Sequence, residues 1–186
     1  DAVMLSAESA AGKYPVEAVK MMARIVTESE YQIRENCVAG NGHPSHERLT
    51  VAETICESMA HAAQDLDVKA IAVFTETGTT ARLLSKYRPL SPIYALSSVD
   101  VVINRMCLLW GVHPIRCPKA LTTEQMVDLA ETLLEEAGHA APQDIIGIVA
   151  GTRTKSGSTN FLRLHVLGDS LKSAPNDGVT EEALTR

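Results

Sequence analysis

Two short polar segments of the sequence carry residue types that could bind an anion. The first, TETGTT at 75–80, combines hydroxyl groups with a glycine that lets backbone amides turn inward. It directly precedes a predicted helix, whose N-terminal amide hydrogens and dipole favour negative charge. This chemistry suits a phosphate monoester, although a threonine-rich helix cap that binds only water explains the pattern equally well. The candidate ligands are Thr75, Thr77, Gly78, Thr79 and Thr80.

The second polar segment is GTRTKSGST at 151–159, between the last two predicted strands. Its glycines make it a flexible loop, and its basic side chains could close over a phosphorylated ligand. Taken alone, a solvated hairpin is the more common explanation. Ligands of open α/β sheets bind beyond the carboxyl ends of the strands, where both segments are expected, and this coincidence favours a binding site. The candidate residues here are Arg153, Lys155, Ser156 and Gly157.

The residues needed for catalysis or for a metal site do not form a pattern in this sequence. No nucleophile is paired with a base, and no carboxylates cluster at strand ends to hold magnesium. Neither a C-x-x-C pair nor an H-x-x-x-H pair occurs, which favours free thiols and no zinc site. The α/β part alone is therefore interpreted as a binding module. The cysteines are Cys37, Cys56, Cys107 and Cys117.

Composition narrows the possible partners of the 186-residue chain. Its formal charge of −6 argues against nucleic acid, which requires a basic surface. No apolar stretch approaches the roughly 20 residues that span a bilayer, so we expect no membrane segment.

The polar segments require a scaffold, and the alternation of apolar runs with amphipathic stretches supplies one. Strands that alternate with helices predict right-handed crossovers and a parallel sheet covered on both faces. The last connection is too short for a crossover, so the final strand should run antiparallel at an edge. We predict a three-layer α/β domain over 50–168 with a five-stranded, mostly parallel sheet. The predicted strands are 70–74, 92–96, 111–117, 144–151 and 160–167, and the helices follow Thr50 and cover 80–87, 98–110 and 122–138.

The first 38 residues have a different character. Residues Ala2–Leu5 form a bare apolar run, which is typical of a strand inside a buried parallel sheet. A helix with one apolar stripe is predicted to begin at Pro15, a residue suited to the first turn. Residues 39–49 are rich in turn formers and predict a linker, and the polar tail 169–186 is predicted to be disordered.

The segment DAVMLSAESAAGKYPVEAV resembles the pyruvate kinase pattern D-x-x-M-L-S-G-E-T-A-x-G-x-Y-P-x-E-A-V. That pattern covers the eighth strand and following helix of the family's (β/α)8 barrel. The similarity continues through TGTTARLLSKYRPLSPIYAL, LLWGVHPI and GSTNFLRLHVL, which resemble the family's carboxyl-terminal domain. The resemblance implies that 1–38 is the last βα unit of a truncated barrel and that 50–168 is the effector-binding domain.

The resemblance also implies an activity for the parent protein. Members transfer phosphate from phosphoenolpyruvate to ADP in glycolysis, with Mg²⁺ and K⁺ held by residues outside this chain. They are cytoplasmic homotetramers. Ser6 and Glu8 match the remaining part of the active site, with Ala7 and Ser9 in place of the usual Gly and Thr. A fragment that lacks most of the barrel is expected to have no turnover.

By the same resemblance, both polar segments belong to the family's allosteric site. Three departures bear on the effector. Glu76 replaces a common Lys and would repel a doubly phosphorylated sugar, Thr152 replaces an aromatic residue, and Ala130 stands where a basic group often serves the second phosphate. These departures favour AMP or a sugar monophosphate such as ribose 5-phosphate over fructose 1,6-bisphosphate. The alternative function is a stand-alone sensor of sugar phosphates or nucleotides.

Overall fold

Five short apolar segments pair into one sheet in the computed structural model, which describes residues 1–36, 48–119, 122–151 and 159–168. The sheet order is β3-β2-β1-β4-β5, with β5 antiparallel to β4 and the other pairs parallel. The predicted mostly parallel sheet with an antiparallel last strand is confirmed. The strands are β1 (Ala70–Phe74), β2 (Ile93–Ser97), β3 (Val112–Arg116), β4 (Ile145–Gly151) and β5 (Thr159–Val166).

The helices of the domain begin where local signals place them. Thr50 and Thr122 each close a capping box with the residue three positions later, as the sequence predicts. The helix predicted over 98–110 is shorter because the chain turns after Met106, and Gly111 takes a positive φ of 66° before β3. The helices are α1 (Ala7–Ala10), α2 (Pro15–Asn36), α3 (Val51–Asp65), α4 (Thr79–Lys86), α5 (Asp100–Met106) and α6 (Thr123–Glu136).

The sheet has a hydrophobic core on each face, which gives the predicted three layers. Alternate residues of β1 point to opposite faces, so Ile71 and Val73 join one core while Ala72 joins the other. Buried residues of α3, α4 and α5 cover the first face, and those of α6 cover the second. β1 and β2 are buried along their whole length, as expected for strands covered on both sides.

The strand predicted over Ala2–Leu5 is wrong for this chain. Residues 1–6 form neither helix nor strand, and Met4 is 83% exposed. A strand exists only when a neighbour completes its hydrogen bonds, and no described residue pairs with this segment. The predicted helix does form as α2, beginning at Pro15.

Several predictions fall on residues that the structure does not describe. These include most of the linker 39–49, the tail 169–186 and Cys37. Among the described cysteines, Cys56, Cys107 and Cys117 are free thiols. No helix within the described ranges is long and apolar enough to cross a membrane.

Candidate functional site at the start of helix α4

The first candidate segment lies at the carboxyl end of β1 and leads into α4. Its first residue, Thr75, is buried, and the Thr75 amide donates to the carbonyl of Leu96 at 3.0 Å, which fixes the loop to β2. The Gly78 amide in turn donates to Thr75 Oγ1 at 2.9 Å. The hydroxyl of Thr75 therefore holds the backbone of the loop in place.

Gly78 satisfies two requirements that a larger residue would not. Its φ of 79° lies in the left-handed region, where side chains are disfavoured. A Cβ built at this position would lie 3.3 Å from Met106 Cγ and 3.4 Å from Val102 Cγ1, inside the core. Gly78 is also the N-cap of α4 and supplies no side-chain cap. The first amide hydrogens of the helix have no partner within the helix, so they can donate to a ligand.

The four threonine hydroxyls divide into two pairs. Thr77 is exposed and Thr79 is half-buried, and their Oγ1 atoms lie 3.0 Å apart at the surface of the loop. Thr75 and Thr80 are buried, and their hydroxyls bond to Gly78 and Thr159, respectively. The outer pair can face a ligand while the inner pair holds the backbone in place.

Thr159 was missed by the sequence reasoning. It begins β5, and its buried Oγ1 lies 2.7 Å from that of Thr80. It pairs across the sheet with Gly151, so both ends of the second polar segment lie beside the first turn of α4. Arg153, Lys155, Ser156 and Gly157 lie between these ends, outside the described residues. A bond between side chains 79 positions apart leaves no local sequence signal.

Lys119 is a second residue that the sequence reasoning missed. Its Nζ forms an ion pair with Glu76 Oε1 at 2.5 Å, with both side chains about half exposed. Lys119 follows β3 at the carboxyl end of the sheet, and that position could have pointed to it. The carboxylate of Glu76 is therefore partly neutralised, which weakens its expected repulsion of phosphate.

The role expected from the position of Ala130 requires a correction. Ala130 is fully buried in the core beneath α6. Its side chain points toward the sheet, so a basic residue at this position would not reach a ligand at the loop. The absence of a basic group at 130 therefore gives no information on a second phosphate.

The structure brings Ser6 and Glu8 together at the start of α1. The Ser6 amide donates to Glu8 Oε2 at 3.1 Å, while the Ser6 side chain does not cap the helix. Hydrogen bonds from the backbone amides of Glu8 and Ser6 lower the pKa of the Glu8 carboxyl, which keeps it ionised. Among the described residues, no three His, Cys, Asp or Glu side chains are grouped to hold a metal ion.

Comparison with known proteins identifies the family to which a chain with this fold and this loop belongs. The family described as "Pyruvate kinase, alpha/beta domain" matches residues 53–165, which is more than half of the chain. The chain belongs to the pyruvate kinase family. Its match contains helices α4 to α6, the loop at 75–80 and the hairpin between β4 and β5.

Curated pyruvate kinases extend the similarity beyond that domain. The chain is 38% identical to the enzyme of Geobacillus stearothermophilus over 179 residues, covering 96% of this chain and 30% of that protein. It is 38% identical to the pyruvate kinase of Clostridium acetobutylicum over 168 residues, covering 90% of this chain and 35% of that protein. It is also 38% identical to the pyruvate kinase of Lactococcus lactis over 168 residues, covering 90% of this chain and 33% of that protein. The chain thus spans about a third of the length of these pyruvate kinases.

Proposed function

We propose that this chain is the carboxyl-terminal portion of a pyruvate kinase that transfers phosphate from phosphoenolpyruvate to ADP, yielding pyruvate and ATP in glycolysis. The observation that supports this most strongly is the extent of the similarity. It covers 96% of the chain, and therefore includes residues on both sides of the linker, but only 30% of a relative. A module that shared only the α/β domain would match over that domain alone.

The parent enzyme, in this proposal, holds Mg²⁺ and K⁺ with residues outside this chain. Phosphoryl transfer depends on positioning and on metal ions that offset developing charge. This chain contributes Ser6 and Glu8 beside that site, and alone it has no turnover. The parent is a cytoplasmic homotetramer in which the α/β domain contributes to subunit contacts.

The function proposed for the α/β domain is binding of a phosphorylated effector at the start of α4. Three features support it: the first-turn amide hydrogens, which have no partner within the helix and no side-chain cap from Gly78, the outer hydroxyls of Thr77 and Thr79, and a backbone held by Thr75. One phosphate fits this arrangement. AMP and sugar monophosphates are favoured over fructose 1,6-bisphosphate because the Glu76 carboxylate stands at the loop and, although Lys119 partly neutralises it, still disfavours a second phosphate.

Calorimetry on the parent enzyme tests the effector. AMP or ribose 5-phosphate should bind, and replacing both Thr77 and Thr79 by Val should weaken binding by at least about a hundredfold, since each hydroxyl bonds a charged group. The matched control is Thr123→Val at the start of α6, where Thr122 already caps the helix. Tight binding of fructose 1,6-bisphosphate with no response to monophosphates would overturn the preference.

A stand-alone sensor is the competing function, and two observations separate it from the proposal. An upstream reading frame that encodes an in-frame barrel with a lysine and paired acidic residues supports the proposal. A start codon near Asp1, together with effector binding by a chain that never associates with a barrel, would establish the sensor instead.

A further inference from the structure

The ion pair between Glu76 and Lys119 joins two loops at the carboxyl end of the sheet. Glu76 follows β1 and Lys119 follows β3, and the strand that lies between these two in the sheet is β2. Lys119 Nζ lies 2.5 Å from Glu76 Oε1, so the pair connects loops that β2 separates. It places an ammonium group against the residue that directly precedes Thr77 of the proposed phosphate loop.

This ion pair lies at the surface, and opening it costs little. The side chain of Lys119 is 54% exposed and that of Glu76 is 52% exposed. An exposed ion pair shifts an equilibrium by no more than about fivefold, because water solvates both charges when they separate. A hydrogen bond to a charged group contributes about tenfold or more. A ligand that offers the ammonium group a doubly charged acceptor can therefore replace the carboxylate.

The backbone of the phosphate loop is held by other contacts. The Thr75 amide donates to the Leu96 carbonyl, and the Gly78 amide donates to Thr75 Oγ1. The hydroxyls of Thr80 and Thr159 bond to each other at 2.7 Å. These contacts are made by buried residues, whereas both members of the ion pair are exposed. The ammonium group can therefore change its partner while the loop keeps its shape.

The chemistry of lysine suits an exchange of partners. Its ammonium group is a compact charge with three donors, carried on a flexible stem of four carbons. Rotation about the bonds of that stem moves the charge from one acceptor to another without displacing the backbone. Lys119 can thus pair with Glu76 in the free protein and with a phosphate oxygen when a ligand is bound.

We propose that Lys119 is a cationic ligand of the phosphate site, and that Glu76 occupies its ammonium group until a phosphorylated ligand takes the place of the carboxylate. The inference rests on the proposed phosphate site and adds a source of positive charge to it. The first-turn amides and the hydroxyls of Thr77 and Thr79 bind phosphate oxygens, and Lys119 binds a further one. The released carboxylate then stands unpaired beside the loop and repels a second phosphate, which gives the preference for monophosphates a physical cause.

The decisive experiment separates a ligand from a residue that only neutralises Glu76. Calorimetry on the parent enzyme compares the affinity of Glu76→Gln for ribose 5-phosphate with that of the double variant Glu76→Gln/Lys119→Met. Glu76→Gln should bind up to about fivefold more tightly than the wild type, because the competing carboxylate is gone. The double variant should bind at least about tenfold more weakly than Glu76→Gln, because the ammonium group itself is lost. Equal affinities in these two variants, or weaker binding in Glu76→Gln than in the wild type, would overturn the proposal.

Arg116→Met is the matched control. Arg116 ends β3 and forms an ion pair with Asp100 at 3.1 Å, also between exposed side chains, so its removal deletes a basic group from the same end of the sheet but not from the loop. Its affinity for ribose 5-phosphate should equal that of the wild type. A loss as large as that caused by Lys119→Met would reveal a general effect of net charge and overturn the specific role of Lys119. If the wild type binds neither AMP nor ribose 5-phosphate, the proposed phosphate site fails and this inference fails with it, whereas every other contradicting result leaves the site standing.

Discussion

Apolar residues at helical spacing are buried to different extents in the α/β domain and in the first 36 residues. Both α3 and α2 carry apolar residues at helical spacing. In α3 these residues enter the core, where Cys56 and Met59 are fully buried. In α2 the corresponding side chains are only partly covered: Val16 is 58% and Val19 53% exposed, while Met22 and Val26 are half-buried. The periodicity of a helix therefore shows which face will pack, but not whether its partner lies within the same chain.

The largest expected effect comes from truncating one isoleucine in each of the two regions. Ile148→Ala, in β4, should lower the free energy of unfolding by about 2–5 kcal/mol, because Ile148 is fully buried and its loss leaves a cavity. Ile25→Ala, in α2, should change it by less than about 0.5 kcal/mol, as expected of an exposed position. Urea unfolding monitored by circular dichroism measures both. Equal losses would abolish the distinction between the two regions.

A second test uses the buried thiol of α3. Burial, with a smaller contribution from the charge of Glu53, raises the pKa of Cys56 from 9.0 to about 12. A raised folded-state pKa gives stability that is complete below pH 9 and is lost as the pH rises toward 12, because the unfolded thiol ionises first. The free energy of unfolding of the wild type should therefore fall by about 2 kcal/mol relative to that of Cys56→Ala between pH 9 and 11.

Denaturant midpoints measured across this pH range provide the readout. Cys107→Ala is the control for the loss of a thiol as such, since that thiol is exposed. A Cys56→Ala difference that stays constant with pH would show that the buried thiol ionises as readily in the folded protein as in the unfolded one.

A third test addresses the end of the sheet. Glu131 of α6 accepts from the Gly168 amide at 3.0 Å and lies 3.3 Å from His165 Nε2, with His165 buried. Removing the carboxylate in Glu131→Ala should lower the free energy of unfolding by about 1–3 kcal/mol, because two polar groups lose their partner. Glu135→Ala on the exposed side of α6 should have little effect in the same thermal melts. A loss no greater than that control would mean that β5 is held by the strand ladder alone.

The smallest expected effect compares the helix starts of the two regions. Thr50→Ala should cost about 1 kcal/mol, since its side chain caps α3 and closes a capping box. Ser6→Ala should leave stability unchanged, because the Ser6 side chain makes no capping bond to α1. A measurable loss in Ser6→Ala by chemical denaturation would show that the first region contributes more to stability than its contacts indicate.

The sequence allowed much of the domain to be predicted because its signals are local. Apolar runs, two capping boxes and a short last connection were sufficient to predict the sheet and its antiparallel edge. The strand Ala2–Leu5 failed because a strand needs neighbours, and none is described for it. The Thr80–Thr159 bond and the Glu76–Lys119 pair escaped prediction because their members meet only after folding. The loop at 75–80 was found from residue types alone, and its role in binding stays a prediction.

Hydrogen exchange of the 186-residue chain, followed by mass spectrometry, tests the central contrast most directly. Amides of β1, β2 and β4 should exchange only when the whole domain unfolds, since these strands pair on both sides within buried layers. Amides of α2 should exchange at least about a hundredfold faster through local opening, because much of its apolar surface is uncovered. Protection of α2 equal to that of β1 would contradict the account, since it would mean that this chain alone supplies everything α2 needs.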